Sequence, residues 1–406
     1  MKALLKKYVI GDTTLWIVFI ALCIISAIEM YSASSTLAYS AENSASPMLR
    51  HVGFLLGGII IAIGVHFVSY KHIRMAAYLG LGISAVLLVW VLLKGVTENG
   101  ASRWLIILGI KFQPSELAKL SVIIVAADFI SRIKDREKDE WKYFKYTLIL
   151  LGVIGSLILF DNFSTAFLLC VVVFIMMFIG RISLLKLGGI AGIAIGVLII
   201  CFLLVSVVPK SYLPKRAQTW ANRIDDYKKE KKDKKNKYVI TDKNRQVQHG
   251  RIAIARGGTF GLMPGNSIER DYLPQAYSDF IYAIIIEEMG LAGGIAVILL
   301  YLVLLYRAGR IATNCDTVFP ALLVIGLSLM IVIQAFISMS VATSLGPVTG
   351  QPLPLISRGG TSILITGIYF GIIFGVTRQL KTETMEKGEI EEKEDENMPV
   401  VALESL

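Results

Sequence analysis

The segment "DYLPQAYSDFIYAIIIEEMG", residues 271–290, passes from a polar stretch into a long apolar run. Asp279 lies at the junction, and Glu287 and Glu288 follow about two turns later inside the apolar run. A carboxylate is costly in a bilayer and usually faces a polar cavity or an ionic partner. Asp279 is interpreted either as a helix N-cap, which is favourable at the helix dipole, or as a functional acid. The segment therefore predicts a membrane helix that begins at a carboxylate.

The composition around this segment is that of a membrane protein. The chain has 406 residues, of which 55% are hydrophobic, and a mean hydropathy of +0.65. Apolar runs of about 20 residues recur, which is the length that a helix needs to cross a bilayer. The runs are continuous rather than alternating, which favours helices over strands. We predict an all-α, polytopic integral membrane protein.

The apolar runs predict about ten transmembrane helices, near residues 13–35, 51–70, 75–95, 113–132, 146–161, 163–181, 185–208, 279–307, 317–344 and 358–379. The loops "SYKHIRM" and "SRIKDREKDEWKYFK" are basic and fall on one side of the membrane. The positive-inside rule assigns that side to the cytoplasm. We therefore predict that both termini are cytoplasmic, which an even number of spans requires.

Three regions follow from this topology. Residues 1–12 form a cytoplasmic N-terminus, residues 13–380 a membrane domain, and residues 381–406 an acidic cytoplasmic tail that is predicted to be disordered. A large extracytoplasmic loop, residues 209–278, joins predicted helices 7 and 8. Its run "DDYKKEKKDKKNK" is interpreted either as a solvated excursion or as an attraction for anionic lipid head groups or diphosphates.

The composition also argues against other classes of protein. A net charge of +10 would suggest nucleic acid in a soluble protein. In a membrane protein it reflects basic cytoplasmic loops and an affinity for anionic lipid, so no nucleic-acid partner is expected. The four cysteines show no paired spacing and the four histidines no zinc-type cluster. Neither a disulfide framework nor a soluble metalloenzyme is predicted.

Two further polar groups adjoin predicted spans on the outer side. In "SRWLIILGIKFQPSELAKL", Pro114 suits a first helical turn, and Glu116 and Lys119 lie three residues apart on one face. These two side chains are expected to pair, either to fix helix packing or to serve a site. Arg103, just before this span, is a candidate for contact with a phosphate. In "GQPLPLISRGGTSILI", residues near Arg358 form either a rigid turn or an anion site at a helix start.

The loop before Asp279 reads "GRIAIARGGTFGLMPGNS" and is rich in glycine. Gly257 and Gly258 permit a close backbone approach, although glycine also serves ordinary turns. Three polar groups on one side, each next to a span, predict one outward-facing polar cavity. At least one of Glu287 and Glu288 is expected to pair with a basic residue and brace the bundle.

Taken together, these motifs resemble the SEDS family (shape, elongation, division and sporulation) of multipass peptidoglycan polymerases. The resemblance covers roughly residues 13–380 and rests on the order and spacing of six segments. These are "YSAS" at 31–34, "RW" at 103–104, "QPSELAK" at 113–119, "IAIARGG" at 252–258, "LPQAYSDFIYAIIIEEMGLAG" at 273–293 and "LPLISRGGTS" at 353–362.

The resemblance implies glycosyl transfer from lipid II, a polyprenyl-diphosphate-linked disaccharide, to a lipid-linked glycan strand on the outer face of the bacterial cytoplasmic membrane. The family's essential aspartate maps onto Asp279, as a general base or as a ligand of a divalent cation, Mg²⁺ or Mn²⁺. Substrate-binding roles are implied for basic and polar side chains, namely Arg103, Glu116, Lys119, Gln246, Ser357 and Arg358. Structural roles are implied for Pro114, Gly257, Gly258, Glu287 and Glu288. The implied partner is a class B penicillin-binding protein, a transpeptidase, among other divisome or elongasome membrane proteins.

The chain departs from the family pattern at several positions. Asn162 stands at an acidic position, Met263 replaces a glycine, His249 stands where glutamine is common, and Arg358 replaces a tyrosine. Gln246 fits a second glutamine position. The endings "GNS" and "ISRGGTS" favour the division branch of the family over the elongation branch.

Two other functions remain open on the sequence. A lipid II flippase would also need a polar cavity and basic side chains, although a transporter favours charged sites near the bilayer midplane. A scaffold that docks partner enzymes would need the spans but no polar cavity.

Overall fold

The structure, a computed structural model, describes residues 11–38, 46–98, 101–107, 109–135, 140–193, 244–273 and 276–396, together with positions 196, 218 and 240. The lysine-rich run at 225–237, Cys201 and the predicted seventh span beyond residue 196 lie outside these residues. The three described cysteines, Cys23, Cys170 and Cys315, are free thiols.

The fold is a bundle of long apolar helices. Within the described residues they are α1 (Thr13–Ala38), α2 (Ser46–His66), α3 (Tyr70–Lys94), α4 (Pro114–Asp135), α5 (Glu140–Asp161), α6 (Phe163–Ile179), α7 (Leu184–Ile193), α8 (Arg245–Gly257), α9 (Ile281–Thr313), α10 (Val318–Ala342) and α11 (Thr361–Glu396).

Seven of these helices are long and apolar enough to cross a membrane, namely α1, α2, α3, α5, α9, α10 and α11. Helix α4 carries buried charges, and α6 and the described part of α7 are shorter. With these three, the prediction of about ten membrane helices is confirmed.

The core lies around α4 and α10. The middle of α4 is fully buried at Ile123, Ala126 and Ala127. Helix α2 packs closely on α11, because a Cβ atom at Gly367 would lie 2.5 Å from the Gly58 carbonyl oxygen. Small residues at such contacts let membrane helices approach one another.

A small antiparallel sheet, which the all-helical prediction missed, precedes α4. Strands β1 (Val96–Glu98), β2 (Ala101–Ile107) and β3 (Ile110–Phe112) pair in the order β1-β2-β3. Ile107 lies opposite Ile110, and Gly109 has a positive φ of 78°, which favours glycine. The strands are too short to stand out from the neighbouring apolar spans. Their role is to present Arg103 from β2.

The large outer loop contains a helix that the sequence did not predict. Helix α8 runs beside the first half of α9, because Gly250 adjoins the Phe280 ring and Gly257 adjoins the Ile286 backbone. A short 3-10 helix, Glu269–Asp271, follows.

The predicted span over 279–307 is present as α9, but its helix is interrupted at Gly290, where the chain folds back on itself. Gly290 has φ 71° and ψ −176°, which are not helical values. The Tyr282 hydroxyl donates to the Gly294 carbonyl oxygen (3.1 Å), a contact that a straight helix would not allow across twelve residues. The carbonyl oxygens of Glu287 and Glu288 instead accept hydrogen bonds from Leu262 and Met263.

Helix α11 continues past residue 380, where the predicted acidic tail begins, as far as Glu396, and the predicted disorder of that tail stays a prediction. The spacing explains the helix, since Glu383 and Glu389 each precede a lysine by four residues, at Lys387 and Lys393. Glutamate before lysine at this spacing stabilises a helix surface. Residues 397–406 lie outside the described part.

One end of the bundle gathers Asp12, the end of α9 and the end of the apolar part of α11. Arg307 pairs with Asp12, and the Asp12 backbone N–H donates to Thr377 Oγ1 (3.4 Å). The start of the first span and the end of the last therefore lie on the same side, as the predicted topology requires. The opposite end carries Arg103 and Asp279.

Candidate active site

The candidate site lies where the segment before α9 meets β2 and the loop after α10. A Cβ atom at Gly350 would lie 3.6 Å from Arg103 Nη1 and 3.7 Å from Asp279 Oδ2. An acid and a base thus converge on one glycine, whose φ of 68° also favours glycine. Both side chains are half-buried, so solvent or a ligand can reach them. The N-cap residue of α9 is Phe280, so Asp279 precedes the cap and does not occupy it.

Residues 343–360, which we call the return loop, hold the backbone beside Asp279. The Ser357 hydroxyl donates to the Ser278 carbonyl oxygen (2.7 Å) and accepts from the Leu353 N–H (2.7 Å). The Arg358 N–H donates to the Tyr277 carbonyl oxygen (2.9 Å), and its guanidinium lies 5.2 Å from the centre of the Tyr277 ring. Ser357 is buried and Arg358 is half-buried. The structure thus places both residues next to Asp279.

The predicted pair of Glu116 and Lys119 on α4 is present, and it is linked to the return loop through Gln334. Lys119 Nζ lies 2.8 Å from Glu116 Oε1, and it donates to Gln334 Oε1 on α10 (2.9 Å). Gln334 in turn donates to the Pro352 carbonyl oxygen (3.1 Å). The Lys119 side chain is fully buried, so its charge acts on the site through Gln334 and the return loop. Pro114 begins α4, as the sequence predicts.

Two amides join this network that sequence reasoning did not single out. Gln334 lies in an apolar span, which is a signal in itself, because an amide is costly there without partners. Gln351 lies in the return loop and donates to Thr165 Oγ1 (2.8 Å). Asn162, which stands at an acidic position of the family pattern, caps α6 by accepting from the Thr165 N–H (3.4 Å). Asn162 therefore has a structural role at the border of the site.

Gln246, Gly257 and Gly258 lie on or after α8, away from Arg103. Gln246 is half-buried, one turn before Gly250, whose Cβ position lies 2.9 Å from the Phe280 ring. Gly257 permits the contact with α9, since a Cβ atom there would lie 2.0 Å from the Ile286 carbonyl oxygen. Gly258 has a positive φ of 53°. The backbone geometry thus explains why glycine occupies both positions.

Glu287 and Glu288 hold the outer loop against the bundle, and Glu288 lies near a basic residue, Arg270. Glu287 accepts from Ser267 Oγ (2.5 Å) and from the backbone N–H groups of Ile268 (3.1 Å) and Glu269 (3.2 Å). Glu288 accepts from the Ser32 hydroxyl on α1, and its Oε1 lies 3.7 Å from Arg270 Nη1. Both carboxylates are fully buried. They tie the loop that precedes Asp279 to α1 and α9.

The oxygen ligands at the site suit a divalent cation that also binds to the substrate. They do not form a site in which the protein supplies every ligand. Within the described residues, no group of three or more His, Cys, Asp or Glu side chains could hold a metal ion. Asp279 supplies one carboxylate, whose Oδ1 accepts from Ser278 Oγ (3.0 Å). Mg²⁺ is commonly bound by one or two carboxylates together with water and substrate phosphates.

Comparison with known proteins gives one family and a set of relatives. The sequence profile of the FtsW/RodA/SpoVE family, described as "Cell cycle protein", matches residues 12–382. A protein of Trichlorobacter lovleyi named "Probable peptidoglycan glycosyltransferase FtsW" is 31% identical over 375 residues, which cover 91% of this chain and 94% of that protein. A protein of the same name from Nitrosomonas europaea is 31% identical, and the match covers 86% of this chain and 88% of that protein.

Two solved structures share the fold. One belongs to a study titled "Structural coordination of polymerization and crosslinking by a peptidoglycan synthase complex", with a TM-score of 0.69 and 23% identity, covering 91% of this chain and 98% of that one. The other is the rod shape determining protein RodA of Thermus thermophilus, with a TM-score of 0.62 and 22% identity, covering 91% and 97%.

Proposed function

Because the chain belongs to the FtsW/RodA/SpoVE family of cell cycle proteins, the SEDS family that its motifs resemble, we propose that it is a peptidoglycan glycosyltransferase. It is a multi-pass protein of the cytoplasmic membrane. Its reaction is the polymerisation of lipid II into glycan strands on the outer face of that membrane, during cell division. The observation that carries the proposal is the convergence of Asp279 and Arg103 on Gly350.

Asp279 is the general base of the proposed reaction. Its carboxylate takes the proton of the attacking sugar hydroxyl, the hydroxyl oxygen bonds to the anomeric carbon of the donor sugar, and the bond to the diphosphate breaks. The electron pair of that bond leaves with the polyprenyl diphosphate. A positioned base contributes about 10²–10⁴-fold to a rate. Arg103 lies beside the same glycine as Asp279, so its guanidinium can contact the phosphate oxygens of a substrate that reaches Asp279.

Basic side chains stabilise the diphosphate in this proposal. Arg103 and Arg358 are half-buried, Arg103 beside Gly350 and Arg358 over the Tyr277 ring, so both suit direct contact with phosphate oxygens. Lys119 is fully buried and bonded to Glu116 and Gln334. We assign Lys119 and Glu116 a positioning role for the return loop in place of the direct substrate contact that the resemblance implies. Ser357 completes the polar border beside Asp279, whereas Gln246 lies on α8 outside this border, and its contact with substrate stays a prediction.

A divalent cation, Mg²⁺ or Mn²⁺, would be held by Asp279 together with the substrate diphosphate. When bound, it would neutralise charge that develops on the leaving diphosphate. The return loop's role is independent of the cation, because Ser357 fixes the Ser278 carbonyl and so orients Asp279.

The partner in this proposal is a class B penicillin-binding protein, a transpeptidase that crosslinks the strands. A chain with a similar fold was solved in the study of a peptidoglycan synthase complex named above, whose title refers to the coordination of polymerisation and crosslinking. The names of the curated relatives favour the division branch over the elongation branch.

The test is reconstitution of the purified protein with lipid II, a divalent cation and the cognate transpeptidase. We expect glycan ladders on a gel from the wild-type protein. If no glycan forms and labelled lipid II instead crosses the membrane of liposomes, the protein is a flippase. If it neither polymerises nor transports lipid II but still binds the transpeptidase, it is a scaffold.

A further inference from the structure

A carboxyl group lies buried near the outer end of α1 without a hydrogen-bond partner. Glu29 is 1% exposed, and neither Oε1 nor Oε2 has a hydrogen bond in the described part of the chain. An ionised carboxylate without partners is costly in such surroundings. The sequence signal is a lone acid in the apolar run "LCIISAIEMYS".

Glu29 lies one helical turn before Ser32 on α1, and the Ser32 hydroxyl contacts both Glu288 and Arg270. Among the described residues, Oε2 of Glu288 is also buried and without a hydrogen-bond partner, so both acids have an unsatisfied oxygen. Arg270 supplies the nearby positive charge, but its Nη1 donates to the carbonyl oxygen (2.5 Å) and the hydroxyl (2.7 Å) of Ser32. Its Nε faces Asp271 (3.4 Å).

The charges around this place do not balance if every acid is ionised. Arg256 and His249 on α8 face Glu269, at 2.8 Å and 2.6 Å. Arg256 also lies 4.0 Å from Glu287. Arg270 is therefore left with Glu29 and Glu288, two buried carboxyl groups for one guanidinium.

We propose that Glu29 and Glu288 together form a buried proton-binding site, in which one of the two carboxyl groups holds a proton and is neutral. A protonated carboxyl group is a hydrogen-bond donor, so it supplies what the unpartnered oxygens lack. A metal cation is disfavoured here because the guanidinium of Arg270 already places a positive charge 3.7 Å from Glu288 Oε1. Proton binding at this site is not a step of the polymerase reaction. The proposal therefore does not rest on the proposed function.

The proton stabilises the position of the segment that carries Asp279. Arg270 lies nine residues before Asp279 and Glu288 nine residues after it, and both are anchored on Ser32 of α1. A second negative charge at Glu29 would compete with Glu288 and Ser32 for Arg270. Keeping one carboxyl group neutral leaves Arg270 in place and both ends of the segment fixed.

Infrared difference spectroscopy of the full-length protein in lipid or detergent tests the proposal directly. We expect the wild type at neutral pH to show the carbonyl band of a protonated carboxylic acid, shifted in D₂O and lost in Glu29→Gln or Glu288→Gln. The matched control is Asp128→Asn. Asp128 is equally buried but pairs with Arg74 (3.3 Å) and Arg132 (2.9 Å), so this variant should retain the band. A wild type without the band, or one whose band survives both glutamine variants, overturns the proposal.

The pH dependence of the melting temperature is a second readout. Because the folded state holds a proton that the unfolded chain releases above its carboxyl titration, stability should fall as pH rises from 5 to 9, roughly the range above that titration. The Glu29→Gln variant has no carboxyl group to protonate at this position. Its melting temperature should therefore fall less between pH 5 and pH 9 than that of the wild type. Equal pH profiles overturn the proposal. Stabilisation of the wild type, but not of Glu29→Gln, by NaCl, MgCl₂ or CaCl₂ at matched ionic strength would assign a metal ion instead.

Discussion

At the scale of single residues, the pair of Lys119 and Glu116 shows how the bundle carries charge in its core. Lys119 is fully buried and Glu116 nearly so, and their separation is 2.8 Å. Replacing Lys119 by methionine removes the cation and leaves the carboxylate. Breaking a buried pair in this way costs about 3–5 kcal/mol. We expect the free energy of unfolding to fall by about that amount, measured by denaturant unfolding in detergent.

The matched control for this prediction is Lys186→Met. Lys186 pairs with Glu140 at the same distance, 2.8 Å, but the two side chains are 27% and 35% exposed. An exposed pair contributes at most about 1 kcal/mol. Similar losses for the two variants would contradict the account of a buried, positioning ion pair. The double variant Glu116→Gln with Lys119→Met should recover part of the loss.

The sequence was informative about residues whose partners lie close in the chain. The three-residue spacing of Glu116 and Lys119 was enough to predict their pairing. The link from Lys119 to Gln334 joins two helices that are far apart in sequence, and no local pattern indicates it. The same holds for Glu29, since its meaning depends on Arg270 and Glu288.

At the scale of elements, the break in α9 decides how the segment after Asp279 is held. Gly290 adopts a conformation that is essentially restricted to glycine, with φ 71° and ψ −176°, and a Cβ atom there would lie 2.3 Å from the Thr259 carbonyl oxygen. We expect Gly290→Ala to lower the free energy of unfolding by at least about 1–3 kcal/mol, from backbone strain alone. Thermal unfolding of the purified protein measures this loss.

Gly152→Ala on α5 is the control for backbone strain. A Cβ atom at Gly152 would meet no atom within 4 Å, and the residue lies inside a helix. Alanine there should be neutral or stabilise the protein by about 0.5–1 kcal/mol. A stable Gly290→Ala variant would contradict the fold of α9.

Elements that are stabilised by their own local sequence could be predicted, whereas elements that are stabilised by contacts with other parts of the chain could not. The membrane helices have a local signal, because each is an apolar run of sufficient length. The sheet of β1–β3, helix α8 and the break in α9 depend on contacts with other elements. In α9 the run "IYAIIIEEMGLAGGIAVILL" reads as one helix, and only the backbone of Leu262 and Met263 explains the break.

At the scale of the whole molecule, the topology is open to a direct test. Asn266 in the outer loop and Lys142 at the start of α5 are both exposed. A membrane-impermeant maleimide should label Asn266→Cys in intact cells and Lys142→Cys only after permeabilisation. Labelling of Lys142→Cys in intact cells would contradict the orientation.

Cys315, which follows the end of α9, should add little background in this experiment. Burial raises the pKa of the Cys315 thiol to about 12, and the carboxylates of Asp316 and Glu383 act in the same direction. Since the thiolate is the reactive form, Cys315 should stay largely unlabelled at pH 7. Its labelling should increase as the pH is raised, which wild-type protein in permeabilised cells can show.

The central claim is that the Asp279 carboxylate acts as the general base in the polymerisation of lipid II. The most direct measurement is the rate of glycan formation by purified Asp279→Asn, which keeps the shape of the side chain and removes its basicity. We predict a rate about 10²–10⁴-fold below that of the wild type. Asp271→Asn, an exposed acid in the same segment, should keep the wild-type rate. Equal rates for wild type and Asp279→Asn would contradict the claim.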